Sequence, residues 1–521
     1  MSARKRTFDP QPQLAGSVAK ASTSLYAPQM LQAKATTIEL SYRYYPSPTE
    51  SPTRRLNLDD KEIEQAGALL TEFLRTYEQS IPARSVVPAV DRPVLEELFS
   101  RPFPEDGLGV EQLFRLISEK VVPNSTTVAH PRFLAYVLPP PNGIAPFAEG
   151  IAAALNQNCN FWQLSPAANV IEQKVIGWLS GLFNYPETSA GILTSGGSMA
   201  SLAAIAAAIV EKYPGDFRHE GLQSGRARLV LYTSEQAHRA IEKDAVILGL
   251  GLDNVRKIPV DSAFRMRVDL LETAVRLDRA AGHQPFCVVA AAGTINTGSI
   301  DPVEELAGFC AREDLWLHVD GALGALFVVS GRCRAELLPC GRADSIALDP
   351  HKMLFAPLEA GCLLVKDRQK LKRAFQFASS YLTIDPDPLL TNFLEYGPEL
   401  SRSFKAFKIW CSLQAFGVYA FVSAIDQTLD LAQYMADRLQ QDSLFELLAP
   451  VRLNVVCFGL RDRSDEENQA VLRRLVDEGT ALLGPVQIRG QFGLRACIAN
   501  YRTQHEDIDM VLDRIRRLAA S

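Results

Sequence analysis

Asp344-Ser345-Ile346-Ala347-Leu348-Asp349-Pro350-His351-Lys352-Met353 decides how the chain is read. Ile346, Ala347 and Leu348 form an apolar run too short for a helix, so they read as a buried strand, and Pro350 stops its ladder. Lys352 therefore stands just past a strand end. In an open α/β sheet ligands bind in the crevice outside the carboxyl ends of the strands, so a lysine there faces a candidate site. Taken alone, it would be read as a solvated surface lysine.

Two further stretches give that lysine company. Leu315-Trp316-Leu317-His318-Val319-Asp320-Gly321-Ala322 is an apolar strand ending in a carboxylate, and Leu193-Thr194-Ser195-Gly196-Gly197-Ser198-Met199-Ala200 is a glycine turn running into an alanine-rich helical stretch. An amine, an anion and a glycine turn at a helix start are the parts that hold pyridoxal phosphate: the first for its aldehyde, the second for its ring nitrogen, the third for its phosphate. The backbone N–H groups of Gly196, Gly197 and Ser198 can approach an anion, and the Ser198 hydroxyl can reach the same oxygens. Asp320, ending an apolar strand, needs a cation, because an unpaired carboxylate there is costly. A pyridinium N–H at about 4 Å and an effective dielectric near 20 would gain roughly 4 kcal/mol before desolvation; a structural Asp bonded to backbone is the other reading. His238 follows the apolar run Leu229 to Tyr232 and is either an aromatic lid over a cofactor ring or a loop residue. Thr294 ends the run that starts at Val288 and offers a hydroxyl. Several strand ends delivering compatible groups to one edge is the arrangement expected of an α/β site.

The 521 residues exceed one ordinary core. The chain divides, on this reading, into an arm at 1–55, a helical segment at 56–125, a large cofactor-binding domain at 126–430 and a small C-terminal α/β domain at 431–521. With 47% hydrophobic and 22% charged residues the composition is that of a soluble globular protein. A net charge of -6, with no basic stripe and no zinc-type spacing, points away from nucleic-acid partners and metal. No run approaches the length of a membrane span. Nine scattered cysteines without a C-x-x-C pair imply a reduced, cytoplasmic setting. The first 55 residues, rich in Ser, Thr, Pro and basic residues, have some of the composition of a transit segment, but a flexible or dimer-wrapping arm is the preferred reading. No G-x-G-x-x-G opens the first strand–helix turn, which sets aside a nicotinamide-binding fold.

Along the chain, Asp59 or Asp60 can cap a helix whose Ile63, Ala66, Leu70, Phe73, Leu74 and Tyr77 share a face, with Pro82 closing it, and a second helix is expected over Val110 to Val121. These form an N-terminal helical layer whose stripe must be covered by the large domain or a second subunit. Pro139, Pro140 and Pro141 make the stretch from Pro131 to Gly143 a stiff loop. From about 190 to 425, strands at 191–194, 228–233, 286–292, 315–319, 345–348 and 361–365 alternate with helical runs at about 199–212, 236–249, 268–281 and 302–313. That rhythm predicts a mostly parallel sheet covered on both faces. Residues 453–458, 465–483, 486–488, 493–498 and 506–518 read as strand, helix, strand, strand and helix.

Thr194-Ser195-Gly196-Gly197-Ser198, Gln236-Ala237-His238, Ala292-Gly293-Thr294, His318-Val319-Asp320 and Asp349-Pro350-His351-Lys352 occur in an order that resembles the group II pyridoxal-phosphate-dependent decarboxylases, the family of aromatic-L-amino-acid, glutamate and cysteine-sulfinate decarboxylases, from about His130 to the C-terminus. The resemblance implies a PLP-dependent transferase of fold type I, a homodimer with active sites at the interface. It implies that Lys352 carries the internal aldimine, His238 stacks on the ring, Asp320 pairs with the ring nitrogen and Ala322 packs beneath it. Gly196, Gly197, Ser198 and His351 would surround the phosphate, with Thr294 near the phenolic oxygen. The implied reaction turns an L-amino acid into its amine and CO2 through an aldimine and a quinonoid, with Tyr381, in Ala374 to Leu382, protonating Cα from a mobile loop. Relatives with phenylalanine there turn to oxygen-dependent aldehyde formation. An aldehyde synthase, a carbon–carbon lyase and a catalytically idle relative are the alternatives. Tyr136, Leu138, Pro139 and Ser401 are the candidate substrate-pocket residues. Asp349 stands where the family often has asparagine, and Gly321 and Met199 replace a commoner alanine and glutamate. A second negative charge beside a phosphate is unfavourable unless it points away, so Asp349 is not assigned as a phosphate ligand. Val137-Leu138-Pro139 replaces the aromatic-proline-threonine of aromatic-acid enzymes, which speaks against an aromatic substrate without naming another.

Overall fold

The computed structural model describes residues 56–104, 106–222, 227–377 and 390–520, and the compact unit discussed below is Asp60–Ser521. Short apolar runs become strands because each is buried on both faces: β1 (Ala190–Thr194), β2 (Leu229–Ser234), β4 (Gln284–Ala291), β5 (Trp316–Asp320), β6 (Ser345–Leu348) and β7 (Gly361–Val365). They join β3 (Val255–Ile258) in a seven-stranded sheet of order β1-β7-β6-β5-β4-β2-β3. The sequence pattern does not reveal β3, an edge strand carrying Arg256 and Lys257 with only Ile258 buried.

The sheet is mostly parallel, as expected, with one reversed strand. β2, β3, β4, β5 and β6 pair in parallel, whereas β7 runs antiparallel to both its neighbours, β1 and β6. Residues 349–360 between β6 and β7 hold only the helical turn Pro350–Met353 and no crossover helix, and the return is antiparallel. That short return carries Lys352.

Helix Gly197–Lys212 lies across β4 to β7, and Ala200, Ala203, Ala204, Ala207 and Ala208 are fully buried, small side chains letting its backbone sit close to the sheet. His318 on β5 ties these layers, its Nδ1 2.9 Å from Ser345 Oγ on β6 and its Nε2 3.0 Å from Ser201 Oγ on the helix. Two helices not anticipated from the sequence, Ala145–Leu155 and Pro166–Leu182, precede β1.

A second sheet, of order β10-β11-β9-β8, comprises β8 (Phe445–Leu447), β9 (Val455–Leu460), β10 (Gly484–Ile488) and β11 (Gln491–Cys497), all antiparallel. Helices Asp465–Asp477 and His505–Ala519 cover it, together with the second half of Lys405–Gln440, which buries Leu431, Ala432, Met435 and Leu439. The helix expected over 465–483 stops at Asp477, because Gly479 turns left-handed at φ 62°. Ala481 and Leu483 beyond it are buried, and the Leu482 N–H donates to the Arg132 carbonyl. The strand expected from Leu453 starts at Val455, Leu453 having φ 50°. Among the described residues Lys405–Gln440 is the one helix long and apolar enough to cross a membrane; it kinks at Gly417 and buries Phe421, Ile425 and Leu429 in the core of the large sheet.

At the N-terminal side, helix Asp60–Ser80 ends where Pro82 enters a 3-10 turn. The expected second helix is α-helical over Val110–Leu116 and π-helical over Ile117–Val121, and Arg92–Leu98 adds another. No residue of Asp60–Ser80 is fully buried: Ala66, Phe73, Leu74 and Tyr77 are half-buried, and Ile63 and Leu70 are exposed.

Candidate active site

Five carboxyl ends of the large sheet open on one cavity of about 310 Å³. β1 delivers Gly196, Gly197 and Ser198; β2 delivers His238; β4, Thr294; β5, Asp320 and Ala322; β6, His351 and Lys352. All nine candidate cofactor residues line it, with Asp349, Val137 and Leu323 beside them. A cleft of about 390 Å³ near the start of β1, against Tyr185, Arg368 and Tyr396, holds none of them.

The glycine turn is fixed by contacts that exclude side chains. A Cβ on Gly197 would lie 2.6 Å from the Ala322 Cβ, and one on Gly361, at the start of β7, would fall on the Gly196 backbone. Behind the turn, Glu172 and Arg402 form a buried ion pair. Glu172 Oε1 accepts the Leu193 N–H at 3.0 Å, and Arg402 donates to the carbonyls of Leu193 at 3.0 Å and Cys159 at 2.6 Å. Both backbone groups of the residue preceding Thr194 are therefore held. The sequence carries no sign of this pair, whose members lie far apart in the chain.

Asp320 Oδ1 accepts the Ala322 N–H at 3.2 Å. Burial pushes its pKa up, and the charges of Lys352 and His238 pull it back, so this acid is poised for a cationic partner. The His238 Nδ1 accepts the Ala240 N–H at 3.2 Å, which orients the ring at the cavity mouth. Ser299 N–H donates to Thr294 Oγ1 at 3.1 Å, and Thr297 Oγ1 lies 3.0 Å from it. The His351 Nδ1 faces the Ala360 carbonyl at 2.8 Å, and burial lowers its pKa. Asp244, which the sequence reading missed, lies on the buried face of helix Ala240–Ile247 with Ala240, Ile241 and Ala245. Burial and the charge of Asp320 push it up to about 7. An acid on an otherwise apolar helix face was the readable signal.

Asp349 does not turn away from the glycine turn. Its Oδ2 is 2.8 Å from Lys352 Nζ and 3.6 Å from His351 Nε2, and its carboxylate lies 3.2–3.8 Å from where Cβ atoms of Gly196 and Gly197 would stand. From the proline-rich loop it is Val137 that lines the cavity. Tyr136, at φ 57°, is exposed, and Leu138, Pro139 and the exposed Ser401 stand outside the lining. Tyr381 lies outside the described residues.

These features fit PLP: a lysine amine, a buried acid wanting a cation, and a helix start whose first N–H groups have no partner within the helix. The chain matches the Pyridoxal-dependent decarboxylase conserved domain over residues 94–461. It is 32% identical over 477 residues to the aromatic-L-amino-acid decarboxylase of Bacillus atrophaeus, spanning 90% of this chain and 97% of that one. Among solved structures it is similar to a TDC of Oryza sativa determined with PLP and tryptamine, at TM-score 0.84 and 25% identity, covering 89% of this chain and 99% of that one. It is also similar to 4-hydroxyphenylacetaldehyde synthase of Rhodiola rosea, at TM-score 0.81 and 27% identity, covering 89% and 99%. On these matches the chain belongs to the group II PLP-dependent amino-acid decarboxylases, carboxy-lyases of fold type I.

Proposed function

We propose that the protein removes the carboxylate of an L-amino acid as CO2 and yields the corresponding amine. The observation that carries this is the convergence of Lys352, Asp320 and His238, from three different strand ends, on one cavity. Bound PLP supplies a carbonyl carbon for an amine and a ring that accepts the electrons a leaving carboxylate releases. Lys352 is the amine that would hold it. Asp320 would keep a proton on the ring nitrogen, since its buried charge gains from a cationic N–H. His238, oriented by the Ala240 N–H, would lie against the ring. Ala291, Leu323 and Val137 give the cavity apolar wall, where a substrate carboxylate is poorly solvated and its loss as CO2 is favoured.

Tyr381 is the proposed proton donor to Cα, which favours simple decarboxylation over aldehyde formation, the activity for which the Rhodiola relative is named. The active form is read as a homodimer, supported by the exposed Ile63 and Leu70 of helix Asp60–Ser80. Two measurements test the reading. Borohydride reduction of the yellow holoprotein followed by a peptide digest should place the adduct on Lys352; an adduct on another lysine, or on none, overturns it. Screening the standard amino acids for CO2 release then names the substrate. Tyr381→Phe should shift product from amine to aldehyde plus peroxide, and wild-type protein that itself consumes oxygen would favour the aldehyde synthase.

A further inference from the structure

Asp349 is the one group in the cavity whose placement a bound phosphate does not by itself explain. Its side chain is nearly inaccessible, at 4% exposure, and the two carboxylate oxygens are used differently. Oδ2 has Lys352 Nζ at 2.8 Å and His351 Nε2 at 3.6 Å. Oδ1 is buried with no hydrogen-bond donor. It stands 3.8 Å from the Cβ position of Gly196 and 3.5 Å from that of Gly197, the glycines of the turn that starts helix Gly197–Lys212. A buried carboxylate oxygen without a donor is costly, and two acceptors brought together repel unless one carries a hydrogen. The phosphate monoester of the cofactor has such a hydrogen to give, because its second proton leaves only near pH 6.

We propose that Asp349 makes this site hold its cofactor with a singly protonated phosphate, whose O–H donates to Asp349 Oδ1. This rests on the cavity being the PLP site. The charged and titratable groups around Asp349 are His351 and Lys352 on the same turn, Asp320 on β5 and Cys362 on β7, with Lys408 of the long helix acting on His351. None of them offers Oδ1 a donor. A carboxylic acid is ordinarily a stronger acid than a phosphate monoanion, so the shared proton stays on the phosphate. Asparagine at 349 would present an N–H instead and would accept the dianion.

The test is 31P NMR of holoenzyme, wild type and Asp349→Asn, titrated from about pH 5.5 to 9 across the second ionisation of phosphate. The wild-type resonance should remain at the monoanion position through neutrality, and that of Asp349→Asn should sit at the dianion position. In parallel, the ratio of apparent PLP dissociation constants, wild type over Asp349→Asn, should rise by up to about tenfold per pH unit above the phosphate ionisation, as one linked proton requires. It should stay flat for pyridoxal, which lacks the phosphate. Should Asp349→Asn fail to fold, Asp349→Ala, which also lacks the acceptor, serves for the same comparison. A wild-type phosphate that is already dianionic at neutral pH, or pH profiles identical in both proteins, overturns the role of Asp349 and leaves the cofactor site standing. Absence of any protein-bound phosphate signal overturns both.

Discussion

Arg402 reaches the cofactor cup without touching it. Its guanidinium joins the Glu172 carboxylate to the carbonyls of Cys159 and Leu193, and Leu193 leads directly into the glycine turn. Removing one partner of a buried pair strands the other charge, which costs about 3–5 kcal/mol. Arg402→Ala should therefore lower the thermal midpoint strongly. Arg402→Lys keeps a charge but loses the fork that serves both carbonyls. It should cost less stability while still weakening PLP retention, measured as the apparent dissociation constant. Equal PLP affinity in Arg402→Lys and wild type would reduce the pair to a purely structural role. The pair was illegible in the sequence because its members lie 230 positions apart, and only the packing of helix Pro166–Leu182 against β1 brings Glu172 there.

Among the elements, the junction of β5, β6 and helix Gly197–Lys212 turns on His318. Burial pushes this imidazole down to about 3, against 6.5 for a free one, so the folded protein holds it neutral between two serine hydroxyls. The unfolded chain binds a proton in that window and the folded chain does not. Stability from His318 is therefore complete above about pH 6.5 and declines as pH falls toward 3, by up to about 1.4 kcal/mol per pH unit. His130, which burial pushes down to about 4, adds to the same slope. Urea unfolding between pH 4.5 and 6.5 should show a shallower pH dependence in His318→Asn than in wild type, with the His130 contribution remaining. An unchanged slope would mean that His318 takes its proton without unfolding. The short return from β6 to β7 belongs to this scale as well. Its proline and brevity are visible in the sequence, but the reversal of β7 follows from where that strand finds a partner.

At the scale of the whole molecule, the N-terminal helix Asp60–Ser80 keeps large apolar side chains at the surface. Ile63 and Leu70 are 56% and 43% exposed, and Phe416, Val418 and Tyr419 on the long helix are exposed too. Full burial of a large aliphatic side chain stabilises an interface by roughly 1.5–3 kcal/mol. Under the homodimer reading, sedimentation should give a dimer, and the double substitution of Ile63→Asp with Leu70→Asp should shift it toward monomer with loss of activity. A wild-type monomer that is fully active at assay concentration would remove the homodimer from the account.

The amino-acid sequence by itself determined the α/β class, six of the seven strands of the large sheet, and the set of groups at their carboxyl ends. It could do so because each strand is a short run buried on both faces, and each group lies within a few residues of its strand's end. Only the tertiary structure decided that Asp349 turns inward, that Val137 rather than Tyr136 or Leu138 meets the cavity, and that Asp244 backs Asp320. The same holds for the pairing of Glu172 with Arg402 and for the charged edge strand β3. In each of these cases the outcome depends on the direction of a side chain or on a partner distant in sequence. Those are set by packing and strand register, which local composition does not encode.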